Sequence, residues 1–278
     1  MAKKIILSQE QTQYIIKSYI NGKSAMTIAK EIGYSDKFIQ TTLKNNNIVL
    51  RTYSEANRQY KIDEHFFDII DTEEKAYFLG FLWADGSIKQ KSNAIVLKLD
   101  IKDKEILSRL SQLIYGFEHL YEYSYGNEQS CTLQFSSANI KQKLIDLGCV
   151  PNKTFILKYP TLNKSMEQHF IRGYFDGDGS IYRYNNDFTV SFIGTENLCI
   201  GLNNTISQYL GIQTKIQKNK EMLSRGNNIT SILLYRGNRR VETLMDWLYK
   251  DATIFLKRKH TKYLTLKSLI AEIDKDIN

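Results

Sequence analysis

The chain has 278 residues, enough for one to three domains with a sizeable core, and it shows neither an apolar run long enough to span a membrane nor a secretory pattern after Met1-Ala2-Lys3-Lys4. A net charge of +8 and a pI near 9.1 suit a polyanionic partner such as nucleic acid. Cys131, Cys149 and Cys199 are odd in number and set in apolar sequence, which argues against a disulfide framework, and His65, His119, His169 and His260 form no zinc pattern. The expectation is a soluble cytoplasmic protein, in a bacterial, phage or organellar host, whose chemistry is not histidine-centred.

Residues 1–50 read as a small all-α domain. Ser8 caps a first helix that stops at Asn21-Gly22, Ser24 opens a second that stops at Gly33, and a third runs from Ser35 to Leu43. Ala29 four residues before Gly33, with Ile39 beyond it, fits a helix-turn-helix, in which a small residue allows close crossing and glycine allows the turn. The third helix of such a motif enters the major groove, making Ser35, Asp36, Lys37, Gln40 and Lys44 candidates for bases and phosphates. The first 62 residues hold ten Lys/Arg against four Asp/Glu, a surplus of six. Residues 51–72 read as a linker, basic at Arg51 and Arg58, which join the DNA-binding candidates, then acidic.

Residues 73–160 and 161–278 read as two related halves. Tyr77 to Ile88 and Phe170 to Ile181 share Gly80/Gly173, Asp85/Asp178, Gly86/Gly179, Ser87/Ser180 and Ile88/Ile181 at a constant offset of 93, a domain-sized duplication. Each copy reads as an apolar helix that stops at Asp-Gly and passes directly into a strand. Glycine on the apolar face lets two helices approach closely, so Gly80 is expected against Gly173 and Ala84 against Gly177. The helices then end side by side with Asp85 and Asp178 together. Two adjacent carboxylates repel unless a cation lies between them, which predicts a divalent metal on oxygen ligands.

After each motif the pattern is strand, strand, helix, strand, strand, helix. In the first half Ile95, Leu97, Leu99 and Ile101 alternate with Val96, Lys98 and Asp100, a helix covers about 104–115, a hairpin turns at Gly126-Asn127, and a helix runs from Asn139 to Leu147. In the second half the strands are Ile181–Tyr184 and Phe188–Ile193, the helix is Glu196–Leu210, the hairpin turns near 225–228, and a closing helix begins near Arg239. The fold class is therefore α+β: two pseudo-symmetric αββαββα halves whose antiparallel sheets form a basic saddle, preceded by the helix-turn-helix. Groove-facing candidates from the alternation are Lys89, Lys91, Lys98, Thr132, Gln134, Arg183, Thr189, Ser191, Lys215 and Gln217.

The two motifs resemble the signature of the LAGLIDADG homing endonucleases, in the form that carries both copies in one chain. Its letters fall on Phe78 to Gly86 and Ile171 to Gly179, and its metal-binding acid falls on Asp85 and Asp178. Trp83 stands where the signature has its first Asp, Arg172 where it has a small residue, and Gly177 where it has Ala. The resemblance implies a monomeric, Mg²⁺-dependent endonuclease that hydrolyses double-stranded DNA at a long asymmetric site and leaves short 3′ overhangs, within an intron or other mobile element. It also implies a lysine beside the metals in each half, carried onto Lys153 and Lys259, with Lys257 or Arg258 as substitutes for the latter. Two other readings stand beside it: a DNA-binding regulator that keeps the scaffold without cutting, and an intron RNA maturase. A start at Met1 and the lack of a terminal His-Asn pair disfavour an intein.

Overall fold

The computed structural model describes residues 7–51, 60–184, 187–218 and 230–277. They form two units, Met1–Lys61 and Ile62–Asn278. The proposed hairpin turn near 225–228 and the candidate Arg58 lie outside the described residues.

The first unit consists of α1 (Gln9–Ile20), α2 (Ala25–Ile32) and α3 (Asp36–Asn45). Each begins at a serine whose hydroxyl accepts from a backbone amide two or three positions into the helix, and at Ser8 the Gln11 side chain completes a capping box. Gly33, at φ +76°, supplies the left-handed turn between α2 and α3. Ile15, Tyr19, Ile28, Ala29, Ile39 and Leu43, spaced along the inner faces of the three helices, form the core of this unit.

In the second unit the first half runs α4 (Glu73–Asp85), β1 (Ser87–Ile88), β2 (Ala94–Asp100), α5 (Lys104–Tyr115), β3 (Tyr121–Tyr125), β4 (Glu128–Ser136) and α6 (Ala138–Leu147). The second runs α7 (Lys164–Asp178), β5 (Gly179–Tyr184), β6 (Asp187–Gly194), α8 (Glu196–Leu210), β7 (Gln217–Lys218), β8 (Ser231–Arg236) and α9 (Asn238–Tyr249), followed by α10 (Lys257–Ile277). Both antiparallel sheets have the same order, β1-β2-β4-β3 and β5-β6-β8-β7, so the duplication seen in the motifs extends to topology.

Alternation sets the faces. Ile95 and Leu97 pair with Phe135 and Leu133 and are buried, whereas Lys98 pairs with Thr132 on the open face. In the second sheet Val190 and Phe192 pair with Tyr235 and Leu233 towards the helices. One apolar cluster runs through both halves, with α4 and α7 at its centre. The linker expected over 51–72 is shorter than that range: Phe66, Phe67 and Ile70 are buried in the same cluster, because their apolar side chains close the end of the first half.

Candidate functional site

The site is built where α4 and α7 meet. A methyl built on Gly80 would lie 2.0 Å from the Phe170 carbonyl oxygen, and one on Gly173 would lie 1.9 Å from that of Tyr77. Each glycine thus rests on the opposing backbone, next to the other glycine's helix turn, and any side chain there would force the helices apart. Further along, a methyl on Gly177 would meet Ala84 Cβ at 2.2 Å and the Asp85 carboxylate at 3.1 Å. The contact of Ala84 with Gly177 brings the two helix ends together with their terminal acids.

Asp85 and Asp178 are both exposed at these ends, yet surrounded by protein on the inner side. Loss of water on that side and the neighbouring Asp178 charge push the Asp85 carboxyl up to about 6. Burial raises Asp178 as well, opposed by the charges of Lys153 and Lys259. A carboxylate pair held in this way is poised to bind a cation, since an ion between the acids would relieve both the repulsion and the lost hydration. Among the described residues no group of three or more His, Cys, Asp or Glu is placed to hold a metal. The donors at these helix ends are two carboxylates and backbone carbonyls, hard oxygen atoms of the kind that would suit Mg²⁺ or Ca²⁺.

Two buried lysines sit behind the acids. Lys153 lies on a short 3₁₀ turn (Lys153–Phe155), entered through Asn152 at φ +56°, and its Nζ donates to the Ala84 carbonyl at 2.7 Å. Lys259, in the first turn of α10, donates to the carbonyls of Phe175, Asp176 and Gly179 at 2.5, 2.7 and 2.6 Å, with Gly177 at 3.3 Å. Each ammonium thus caps the carbonyl end of its own half's motif helix, where the helix dipole favours a cation. Burial lowers the pKa of both, Lys259 to about 8. The alternatives to Lys259 are committed elsewhere: Arg258 pairs with Asp103 at 3.0 Å and Lys257 with Glu105 at 2.5 Å.

Arg172, which stands where the signature has a small residue, is fully buried, and each of its three guanidinium nitrogens donates a hydrogen bond. Its Nε donates to the Ile254 carbonyl at 3.0 Å, Nη1 to that of Leu248 at 2.9 Å and Nη2 to Glu73 Oε1 at 2.5 Å. Glu73 also accepts from the Thr253 amide at 2.8 Å and its hydroxyl at 2.7 Å, so this ion pair joins the start of α4 to the segment before α10. A buried charge paired and hydrogen-bonded at this density is compatible with close helix packing.

Two residues of the site were not singled out by sequence. Asp176 is wholly buried and accepts from Tyr77 Oη at 2.7 Å, the Leu256 amide at 2.8 Å and Tyr249 Oη at 3.4 Å. Tyr174 donates to the Ile193 carbonyl at 2.5 Å beside Asp178. Their positions in the duplicated motif, opposite Trp83 and Phe81, were the only available signal.

The remaining candidates divide. Lys98 and Gln134 are exposed on the open face of the first sheet, Lys215 and Gln217 are exposed at the edge of the second, and Lys89 and Lys91 are exposed in the β1–β2 turn, which Lys141 braces by donating to the Lys89 carbonyl at 2.9 Å. Ser191 does not project: it is 4% exposed on central strand β6, shaded between Ser180 and Leu234, and Thr189 is likewise buried between Tyr182 and Arg236. Arg183 alternates with Tyr182 and shares the helix-covered side with Ile181, so it is not on the open face; its exposure arises at the end of the strand. In the first unit Lys37 and Lys44 are exposed on α3, Gln40 is held by Asp36 at 2.7 Å, and the Ser35 hydroxyl is used in the helix cap. Arg51 is not free for a duplex, because its guanidinium donates to the carbonyls of Tyr19, Gly22 and Lys23 and lies over the Tyr19 ring.

Residues 165–246 match the family model of the LAGLIDADG-like domain. Over 159 residues the chain is 27% identical to an uncharacterized protein of Methanocaldococcus jannaschii, covering 51% of this chain and 54% of that protein, so the chain spans about half the length of the relative it matches. Similar solved structures include the LAGLIDADG homing endonuclease I-LtrWI bound to target DNA, at 12% identity over 77% of this chain and 92% of that one with a TM-score of 0.48. The meganuclease I-SmaMI bound to uncleavable DNA is similar at 13% identity over 71% and 90%, with a TM-score of 0.47. No described helix is long and apolar enough to cross a membrane.

Proposed function

We propose that this chain, which carries a LAGLIDADG-like domain, is a homing endonuclease that hydrolyses double-stranded DNA at a long asymmetric site with Mg²⁺. The observation that carries the reading is the pair Asp85 and Asp178, one from each half, held at the touching ends of two helices whose glycines pack on each other's backbone. A structural protein gains nothing from placing two repelling carboxylates at an exposed junction, whereas phosphodiester hydrolysis needs cations held there against phosphate.

Asp85 and Asp178, with neighbouring backbone carbonyls, would hold Mg²⁺. When bound, the ion would supply Lewis-acid polarisation of the scissile phosphate and a lowered pKa for coordinated water. The chain's own residues do the rest. The glycine contact fixes the spacing of the acids, and Lys153 and Lys259 keep the helix ends rigid while adding positive potential behind the developing phosphorane charge. Tyr174, beside Asp178 in the motif helix, gives its hydroxyl proton to the Ile193 carbonyl and so ties the end of α7 to β6. The open sheet faces, with Lys98, Gln134, Lys215 and Gln217, would take the flanking duplex; exposed Lys37 and Lys44 on α3 would add contacts from the first unit, residues 1–50 acting as a helix-turn-helix. The two sheets differ in sequence, so the site read would lack a dyad. The protein would act as a monomer, since both halves are in one chain.

The test is cleavage of a plasmid library, including DNA that flanks the gene, in Mg²⁺, with Asp85→Asn and Asp178→Asn as controls. Cutting that both substitutions abolish is the expected result. Tight, sequence-specific binding that ignores Mg²⁺ and never cuts would instead support a DNA-binding regulator and end the nuclease reading.

A further inference from the structure

A cavity of about 350 Å³ opens at the outer end of the second sheet. Its lining includes Thr214, Lys215, Gln217, Leu234, Arg236 and Arg240. Three of these are cations and none is an acid. They come from separate places: Lys215 lies two residues before β7, Arg236 ends β8, and Arg240 stands in the first turn of α9.

This is a costly arrangement for a site without a ligand. Like charges gathered around one concavity repel, and a cation in the first turn of a helix faces the positive end of its dipole. Several other basic side chains of the second unit are paired with acids: Lys104 with Glu118 and Glu122, Arg258 with Asp103, Lys267 with Asp246, and Arg239, beside Arg240, with Glu242. Among the described residues Lys215, Arg236 and Arg240 are joined to no carboxylate. The α9 start adds to the same field, because its cap residue is Gly237 and no side chain caps its first amides.

The rim is also held in place before anything binds. Thr214 Oγ1 donates to the Leu234 carbonyl at 2.7 Å, and the Thr214 amide donates to Asn203 Oδ1 at 3.1 Å, which fixes the 213–215 segment against β8. The Arg240 guanidinium lies 5.8 Å from the centre of the Tyr235 ring. Arg236 falls in the strand register of Leu234, on the open side of the sheet, so the cavity adjoins the face that the endonuclease reading assigns to the duplex.

We infer that this cavity is a phosphate-binding pocket, in which Arg236 and Arg240 present planar donor forks and Lys215 a point charge to a single phosphodiester of the bound duplex, away from the scissile bonds. The phosphate chemistry stands on the cavity itself, whereas its source in DNA rests on the endonuclease reading. Such an anchor would hold the second half on the duplex in a sequence-independent way.

The full-length protein and an R236Q/R240Q variant are compared for binding to a fluorescein-labelled duplex of random sequence across a KCl series, with Lys267→Gln as the control outside the pocket. Losing one phosphate contact lowers the slope of log Kobs against log[salt] by about one, and the control leaves it unchanged. Thermal melts in chloride confirm that the variant is folded. Melts in inorganic phosphate, at equal ionic strength, are expected to stabilise wild type and not the variant. An unchanged slope in a variant of a DNA-binding wild type overturns the anchor. If phosphate stabilises wild type but the duplex slope does not move, the pocket serves a small phosphorylated ligand and the duplex anchor is wrong. A wild type that binds no duplex at all sinks the endonuclease reading, and the anchor with it.

Discussion

The two halves end their motif helices in different ways. In the second half Asp176 gathers three donors and Lys259 is ringed by carbonyls of the helix end, so the terminus is fixed by a polar hub. In the first half the matching residue is Trp83, wholly buried, whose Nε1 donates to the Lys158 carbonyl at 3.0 Å, and Lys153 reaches only the Ala84 carbonyl. Phe81 likewise stands where the second half has Tyr174 and its hydroxyl. A duplicated backbone can therefore present equivalent acids on unlike supports, an aromatic plug on one side and a charged network on the other. Near-symmetry at the acids does not require symmetry beneath them, and the two supports should respond differently when broken.

The acids themselves give the largest expected effect, and there the halves should behave alike. On the endonuclease reading, Asp85→Asn and Asp178→Asn are each expected to lower cleavage by about 10³-fold or more, since each would remove a proposed cation ligand. Without metal, either change should raise the melting temperature, because it removes one of two crowded charges at a site where burial first, and the Asp178 charge second, push Asp85 up to about 6. Carboxyl-carbon NMR of D178N should show the remaining Asp85 titrating at lower pH. A fall in both activity and melting temperature would mean that the acids are structural.

At the helix contact the halves should again match, through sterics in place of charge. Gly80→Ala and Gly173→Ala each drive a methyl to about 2 Å from a backbone oxygen, and each is expected to cost about 3 kcal/mol or more, read by urea unfolding. Removing the lysines should separate the halves. Lys259→Met leaves several buried carbonyls and Asp176 without their cation and should cost about 2–4 kcal/mol. Lys153→Met frees one carbonyl and should cost about 1 kcal/mol. Equal losses would show that the count of carbonyl contacts does not measure the support.

The comparison also marks what could be read from sequence. The glycines, the acids, the succession of strands and helices along each half and the three N-terminal helices follow from spacing alone, because helix and strand periodicities and Asp-Gly stops are local signals. The roles of Arg172 and Asp176 are not local. Arg172 is tolerated only because Glu73, 99 residues away, meets it, and Asp176 is a hub only because Tyr77, Tyr249 and Leu256 converge on it. The errors on the open face have a similar origin. Alternation gives a side chain's direction but not its shading by larger cross-strand neighbours, which hides Ser191, nor the one-residue shift of parity that turns Arg183 away. Arg51 was legible as basic, yet its binding to carbonyls at the end of α1 depends on the packed unit.

The smallest expected effect is the one that isolates the hub. Burial pushes Asp176 up to about 6, from an ordinary carboxyl value of 3.8. Between those values the folded protein keeps a proton at Asp176 that the unfolded chain has released. Its contribution to stability is therefore greatest below about pH 4 and declines as pH rises towards 6, while above 6 both states are ionised and the dependence ends. Trp83 occupies the corresponding place in the first half and cannot titrate, so this contribution belongs to the second half alone. Asp176→Asn keeps the shape and an acceptor for Tyr77 and Leu256 but no longer binds the proton. Urea unfolding between pH 4 and 7 should accordingly show a shallower fall of stability with pH in D176N than in wild type, with Asp85, whose carboxyl is also raised to about 6, and Asp178, raised by burial, contributing to the remaining slope. A D85N/D176N double variant should flatten the profile further. If D176N left the slope unchanged, Asp176 would have to be ionised throughout the range, held so by Lys259 and its other donors, and the contrast between plug and hub would be one of hydrogen bonding alone.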